Sequence, residues 1–207
     1  MIAVIDYGAG NLKSVRNALD FLGCQNTIAS SPRDIISADG VILPGVGEFG
    51  SAMREMERRE LTDAVRAAAK SGKPFLGICA GMQLLFDSSE ESPGVPGLGV
   101  IPGRVLLFPK SPGVKVPHMG WNSIKPKKSS RLLGALSGEP YMYFVHSYYV
   151  KADEPRDVSA VCGYGGVTFD AAAEAGGLFG CQFHPEKSGE VGMSILRRFA
   201  ELAGGVR

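Results

Sequence analysis

The feature that most constrains this chain is an alternation, through its first half, of short apolar runs with longer amphipathic stretches. Ile2–Asp6, Gln25–Ala29, Gly40–Leu43 and Phe75–Ile78 have strand character, and Pro44-Gly45 stops the third run. Leu12, Val15, Leu19 and Leu22 recur at the spacing of one helix face. Ser51–Lys70 likewise places Met53, Met56, Leu61, Ala64, Val65 and Ala68 on one helix face, with Gly72 as its end, and Ala80–Phe86 reads as a further helix. Strands alternating with helices of this length predict βαβ units and a mostly parallel central sheet. Functional groups in such sheets collect at the carboxyl ends of the strands, which here means Asp6–Gly10, Pro44–Gly50 and Cys79.

The second half changes character. Glu90–Pro102, rich in Gly and Pro, reads as a surface loop. Arg104–Phe108, Tyr141–Val150, Val158–Cys162, Val167–Ala173 and Leu178–Gln182 resemble strands separated by turns, so an antiparallel extension is expected. A last helix over Gly189–Leu202 turns Val191, Ile195, Leu196, Phe199 and Leu202 inward. With no internal repeat or linker, residues 1–207 are expected to form a single domain.

Composition removes several functional classes. A formal net charge of +1 gives no footprint for nucleic acid or a membrane surface, and Arg58-Arg59 and Lys125–Lys128 are too short to change that. No run of apolar residues is long enough to span a membrane. The opening Ile2-Ala3-Val4-Ile5-Asp6 lacks the basic region and cleavage site of a signal peptide, so a cytoplasmic location is expected. Cys24, Cys79, Cys162 and Cys181 form no C-x-x-C pair, which predicts neither a disulfide framework nor a metal site.

Gly77-Ile78-Cys79-Ala80-Gly81 lies where an apolar run ends and a helical one begins, the cysteine counterpart of a strand–nucleophile–helix elbow. Such a turn is strained, and side chains two positions to either side would collide with neighbouring elements. The sulfur faces a helix start, and the Ala80 N–H points toward a developing oxyanion. A free cysteine is more often a small buried hydrophobe, so the motif needs a base. Gln182-Phe183-His184-Pro185-Glu186 supplies one: His184 emerges at a strand end, Pro185 forces a turn, and Glu186 can hold the imidazole. Taken alone, that segment also suits a satisfied histidine beside a helix-capping glutamate. Cys24, Cys162 and Cys181 lack a base motif and are expected in the core.

Gly77–Gln83 together with Gln182–Glu186 resembles the triad (class I) glutamine amidotransferases. Within them, Asp6–Asn11, Pro44-Gly45-Val46-Gly47, His118–Asn122, Tyr143–Tyr148 and the ending Lys187-Ser188 are similar to the glutaminase subunits of imidazole glycerol phosphate synthases. The resemblance implies a flavodoxin-like α/β fold and hydrolysis of glutamine to glutamate and ammonia by Cys79, His184 and Glu186, with no cofactor. It implies an oxyanion hole from the N–H groups of Ala80 and Val46, and glutamine binding by Gly45, Gly47, Gln83, Ser147 and Tyr148. It further implies a heterodimer with a (β/α)8-barrel cyclase subunit that receives the ammonia for histidine biosynthesis. Asn11, Met119, Trp121, Tyr143 and Lys187 would line that interface or the ammonia path. Where the residues stand alone, Gln83 fits an exposed helix position, Trp121 a core ring and Lys187 a solvated side chain.

Rival readings are an amidotransferase subunit of another pathway (pyridoxal phosphate, anthranilate or guanylate synthesis), a partner-independent cysteine hydrolase of the γ-glutamyl type, and a non-catalytic α/β interaction module. Lys125–Pro140 and Lys151–Asp157 carry no functional signal.

Overall fold

The structure is a computed structural model that describes residues 1–109 and 114–204. In chain order the first half comprises β1 (Ile2–Ile5), α1 (Leu12–Phe21), β2 (Asn26–Ala29), α2 (Pro32–Ser37), β3 (Gly40–Gly45), α3 (Phe49–Arg58), α4 (Thr62–Lys70), β4 (Phe75–Cys79) and α5 (Ala80–Gln83). The second half comprises β5 (Ser88–Ser89), β6 (Gly103–Leu107), β7 (His118–Ser123), β8 (Lys125–Pro126), β9 (Tyr141–His146), β10 (Tyr148–Ala152), β11 (Val158–Tyr164), β12 (Val167–Ala175), β13 (Leu178–Cys181) and α6 (Gly189–Leu202).

Five strands form a parallel core in the order β2-β1-β3-β4-β13, a doubly wound arrangement. Its inner strands β1, β3, β4 and β13 are buried at every position because both faces are covered, whereas the edge strand β2 is half-buried and carries Asn26 and Thr27. In β1, Ala3 and Ile5 join Met53, Met56 and Val65 of α3 and α4 on one side, while Ile2 and Val4 join Val15, Leu19, Ile195 and Phe199 of α1 and α6 on the other. Beyond β13 the sheet turns antiparallel through β12, β10 and β6, with β11 and β8 branching from β12. The α/β fold with an antiparallel extension is as expected.

Three element predictions need correction. Ser51–Lys70 is two helices, because the chain takes a left-handed turn at Glu60 (φ 58°). The Leu61 N–H reaches Met56 O at 2.9 Å and the Glu60 N–H reaches Glu57 O at 2.9 Å, the paired bonds of a Schellman end. The helix after Cys79 is shorter than Ala80–Phe86 and ends at Gln83. Most consequentially, Tyr141–Val150 is not one strand. It breaks at Ser147 into β10, in the main sheet, and β9, which pairs with β7 in a separate two-stranded ribbon.

Candidate active site

β4 delivers Cys79 into a backbone conformation that L residues rarely adopt (φ 54°, ψ −114°). The surrounding glycines are matters of space. A Cβ on Gly77 would lie 2.7 Å from Gly81 O, and one on Gly81 1.9 Å from Leu43 O. One on Gly45 would lie 2.2 Å from Gly81 N. Gly45 therefore lets the β3 end press against the elbow from behind and does not line the cleft, whereas Gly47 serves through its positive φ of 94°, with open space around it.

His184 follows β13, and β13 is the parallel neighbour of β4 with Cys181 beside Ile78, so residues a hundred positions apart meet at adjacent strand ends. Pro185 opens a short 3-10 turn that carries Glu186 back to the ring. Glu186 Oε1 is 2.9 Å from His184 Nδ1, and the two side chains are 1% and 2% exposed. Nδ1–H thus donates to the carboxylate, which leaves Nε2 as the basic nitrogen. Nε2 is buried without a hydrogen bond of full geometry, and Cys79 is close enough to act on it electrostatically. Burial pushes the His184 pKa down, but the Cys79 sulfur and the Glu186 carboxylate outweigh it and raise the value to about 9.

Cys79 and His184 open onto one cleft of about 520 Å³, together with Val46, Gly47, Ala80, Gln83, Ser147 and Tyr148. Gln83 is buried, not an exposed helix residue, and its Nε2 donates to Tyr148 O at 2.9 Å and to Gln182 Oε1 at 3.0 Å. This constellation can carry nucleophilic acyl transfer: a sulfur at a strained turn, a base braced by a carboxylate, and loop peptides beside the reacting centre. Among the described residues, no group of His, Cys, Asp and Glu is arranged to hold a metal ion.

Comparison with known proteins agrees. The family model "Glutamine amidotransferase class-I" matches residues 3–202. The chain belongs to this family. An imidazole glycerol phosphate synthase subunit HisH from Listeria innocua serovar 6a is 51% identical over 98% of this chain and 96% of its own length. The chloroplastic imidazole glycerol phosphate synthase hisHF of Arabidopsis thaliana is 48% identical over 96% of this chain, but the match covers only 34% of that longer protein. In fold, a crystal structure of a glutamine amidotransferase superposes with a TM-score of 0.77 at 21% identity, over 99% of this chain and 100% of its own.

In this amidotransferase the β7–β9 ribbon closes one side of the cleft. The His184 N–H donates to Tyr143 O (3.0 Å), the Tyr143 N–H donates to Ser188 Oγ (3.0 Å), and Val145 O lies 3.8 Å from Cys79 Sγ. Strand alternation turns His118, Phe144 and His146 inward and leaves Met119 (62% exposed) and Trp121 (57%) outward, so Trp121 is no core ring. Trp121 meets Tyr143 edge-on, and Lys187 Nζ sits 5.9 Å from the Tyr143 ring centroid. Asn11 is the N-cap of α1, its side chain accepting from the Ser14 N–H. Cys24, Cys162 and Cys181 are free and buried in the core, and burial raises the pKa of each.

Two site residues escaped the sequence reading. Glu91 lines the cleft from the segment read as surface loop; it accepts from the Phe49 N–H at 2.8 Å, and burial raises its pKa. Tyr7, from the flagged Asp6–Gly10 segment, is fully buried with its hydroxyl unpartnered, and burial and the Cys79 charge oppose its ionisation. Glu91 has no local motif, and Tyr7, though inside the flagged segment, was given no role there; the fold brings Glu91 to the cleft and Tyr7 within electrostatic reach of Cys79.

Proposed function

We propose that the chain is the glutaminase subunit of an imidazole glycerol phosphate synthase, hydrolysing glutamine with Cys79, His184 and Glu186 and passing ammonia to a (β/α)8 cyclase partner. The observation that carries the reading is the carboxylate-braced imidazole (Glu186 Oε1 to His184 Nδ1, 2.9 Å) on the same cleft as a cysteine held at an elbow. His184 holds the proton it has taken from Sγ while the sulfur adds to the side-chain amide carbon of glutamine. The N–H groups of Ala80 and Val46 receive the oxyanion. His184 then gives its proton to the departing amine, leaving a γ-glutamyl thioester and ammonia. Water activated by the same ring releases glutamate.

Gly47, Gln83, Ser147 and Tyr148 surround the amino-acid end of the substrate, and Glu91 is the carboxylate placed to meet its ammonium. Gly45 acts one layer back by keeping the oxyanion loop against the elbow. For the partner, the support is the outward row of Met119, Trp121 and Tyr143 beside Lys187, and the extra length of the Arabidopsis synthase, which leaves room for a barrel in the same polypeptide. A single domain, a cytoplasmic setting and lyase chemistry in the partner complete the reading.

The test pairs the chain with its cyclase. Glutamine-dependent product formation should require Cys79 and vanish in Cys79→Ser, while formation from added ammonium salts persists. Glutamine turnover by the isolated chain should fall far below that of the complex. A Cys79→Ser complex that still used glutamine would sink the proposal.

A further inference from the structure

Gln182 lies two residues before His184 and is fully buried. Its side chain meets two groups: Nε2 is 3.7 Å from Cys79 Sγ, and Oε1 is 3.0 Å from Gln83 Nε2. An amide can stand in either of two flips, and here the neighbours permit one. The Tyr148 carbonyl, 2.9 Å from Gln83, only accepts, so Gln83 must turn its NH2 toward it. The second N–H of that group then faces Gln182, which must answer with its oxygen. Its NH2 is thereby committed to the sulfur. Tyr148 O is itself fixed by His146 Nδ1 at 2.7 Å, so the whole row has one polarity.

The consequence depends on the state of the sulfur. A thiol can direct its S–H to Val145 O, 3.8 Å away, while accepting weakly from Gln182. Once the proton has left, the carbonyl repels the sulfur and the amide N–H becomes a charge-assisted donor. We infer that Gln182 is a positioning residue for the nucleophile: its amide holds the Cys79 sulfur on the His184 side of the cleft and favours its anionic form. The same side chain locks Gln83, which has both N–H groups committed and only Oε1 left to meet a ligand.

Two near-isosteric replacements separate this role from packing. Gln182→Met fills the space with no N–H. Gln182→Glu still accepts from Gln83 but sets an acceptor against the sulfur. Alkylation by iodoacetamide, followed at Cys79 by peptide mass spectrometry, reads the sulfur without any glutamine recognition. The full chain with its cyclase partner should alkylate about tenfold more slowly in Gln182→Met, and more slowly again in Gln182→Glu at mildly alkaline pH. Because the kinetic arm rests on the glutaminase reading, kcat should follow the same ladder with KM within about twofold. Native alkylation rates in both variants would overturn the inference. Unaltered alkylation ladders with no glutamine turnover even in the native complex would instead overturn only the function proposed above.

If either variant loses its fold by circular dichroism, the native chain still decides. Gln25, Gln83 and Gln182 are its only glutamines, and Gln25 is exposed. With side-chain 15N labelling, Gln25→Asn assigns the surface pair, and one buried NH2 pair should shift in Cys79→Ala. Two unmoved buried pairs would refute the contact.

Discussion

His184, on the turn after β13, and the His118–His146 pair, inside the β7–β9 ribbon, are the only histidines of the chain and are similarly shut off from solvent, at 2%, 2% and 6% exposure. Burial pushes all three toward the neutral ring. In the ribbon nothing opposes it strongly: His118 falls to about 4, and His146 to about 3 despite the Tyr148 carbonyl. At the turn, Cys79 and Glu186 reverse the sign and carry His184 to about 9. Partners, not depth, decide whether a buried imidazole is a proton carrier or a neutral strut. The ribbon's struts form a row, with Asn122 Nδ2 at 3.2 Å from His118 Nε2 and His118 Nδ1 at 3.0 Å from His146 Nε2. Asn122 Nδ2 also donates to Gly163 O at 2.9 Å, which makes it the donor to His118, and Tyr148 O can only accept, so both rings carry their proton on Nδ1.

The contrast breaks most sharply at Glu186. Glu186→Gln keeps the shape but removes the charge and offers a competing donor to Nδ1. Glutamine hydrolysis by the complex should lose about 100- to 10,000-fold in kcat, the usual weight of a general base and its tautomer. The His184 titration midpoint, followed by histidine NMR, should drop toward the ribbon values. A midpoint that stayed near that of the native protein would show that Cys79 alone holds the proton on the ring.

The turn was legible in sequence and the ribbon was not. Gly77–Gly81 and Gln182–Glu186 are local devices whose glycines and proline answer to backbone geometry within a few residues, so the elbow at Cys79 and the pairing of His184 with Glu186 could be read from the residues alone. The parallel half was equally plain, because doubly buried strands are short apolar runs. Tyr141–Val150, by contrast, is rich in aromatic and apolar residues along its whole length, and that composition marks a strand but not which sheet it joins. The break at Ser147 depends on β7 arriving to pair with β9 and on the Phe108 N–H taking Ser147 O at 3.1 Å. Glu91 was hidden for the same reason: its place in the cleft depends on where the segment after β5 lies in space.

A double-mutant cycle sharpens the ribbon's side of the comparison. His118→Phe leaves His146 Nε2 without its donor, and His146→Leu strands His118 Nδ1–H; each should cost about 1–3 kcal/mol in denaturant unfolding, the penalty of an orphaned buried polar group. Both changes together remove donor and acceptor at once, so the double variant should cost less than the sum. Strict additivity would mean the two rings do not depend on one another.

The smallest effect is the pH dependence of stability, and it separates the two regions by sign. An unfolded histidine titrates near 6.5. Between that value and about 4, the unfolded chain binds protons that folded His118 and His146 refuse, so stability falls as the pH is lowered. Between about 6.5 and 9 the folded chain holds a proton on His184 that the unfolded chain has released, so stability falls as the pH is raised. The histidine contribution therefore peaks near 6.5 and declines on either side, for opposite reasons. Denaturant midpoints across this range should show both limbs. The acid limb above about pH 5 should flatten in the His118→Phe/His146→Leu double variant, while the alkaline limb should flatten in Cys79→Ser, where the sulfur no longer holds the proton on the ring. An alkaline limb unchanged in Cys79→Ser would assign the raised value to Glu186 alone and reduce the difference between the regions to one carboxylate.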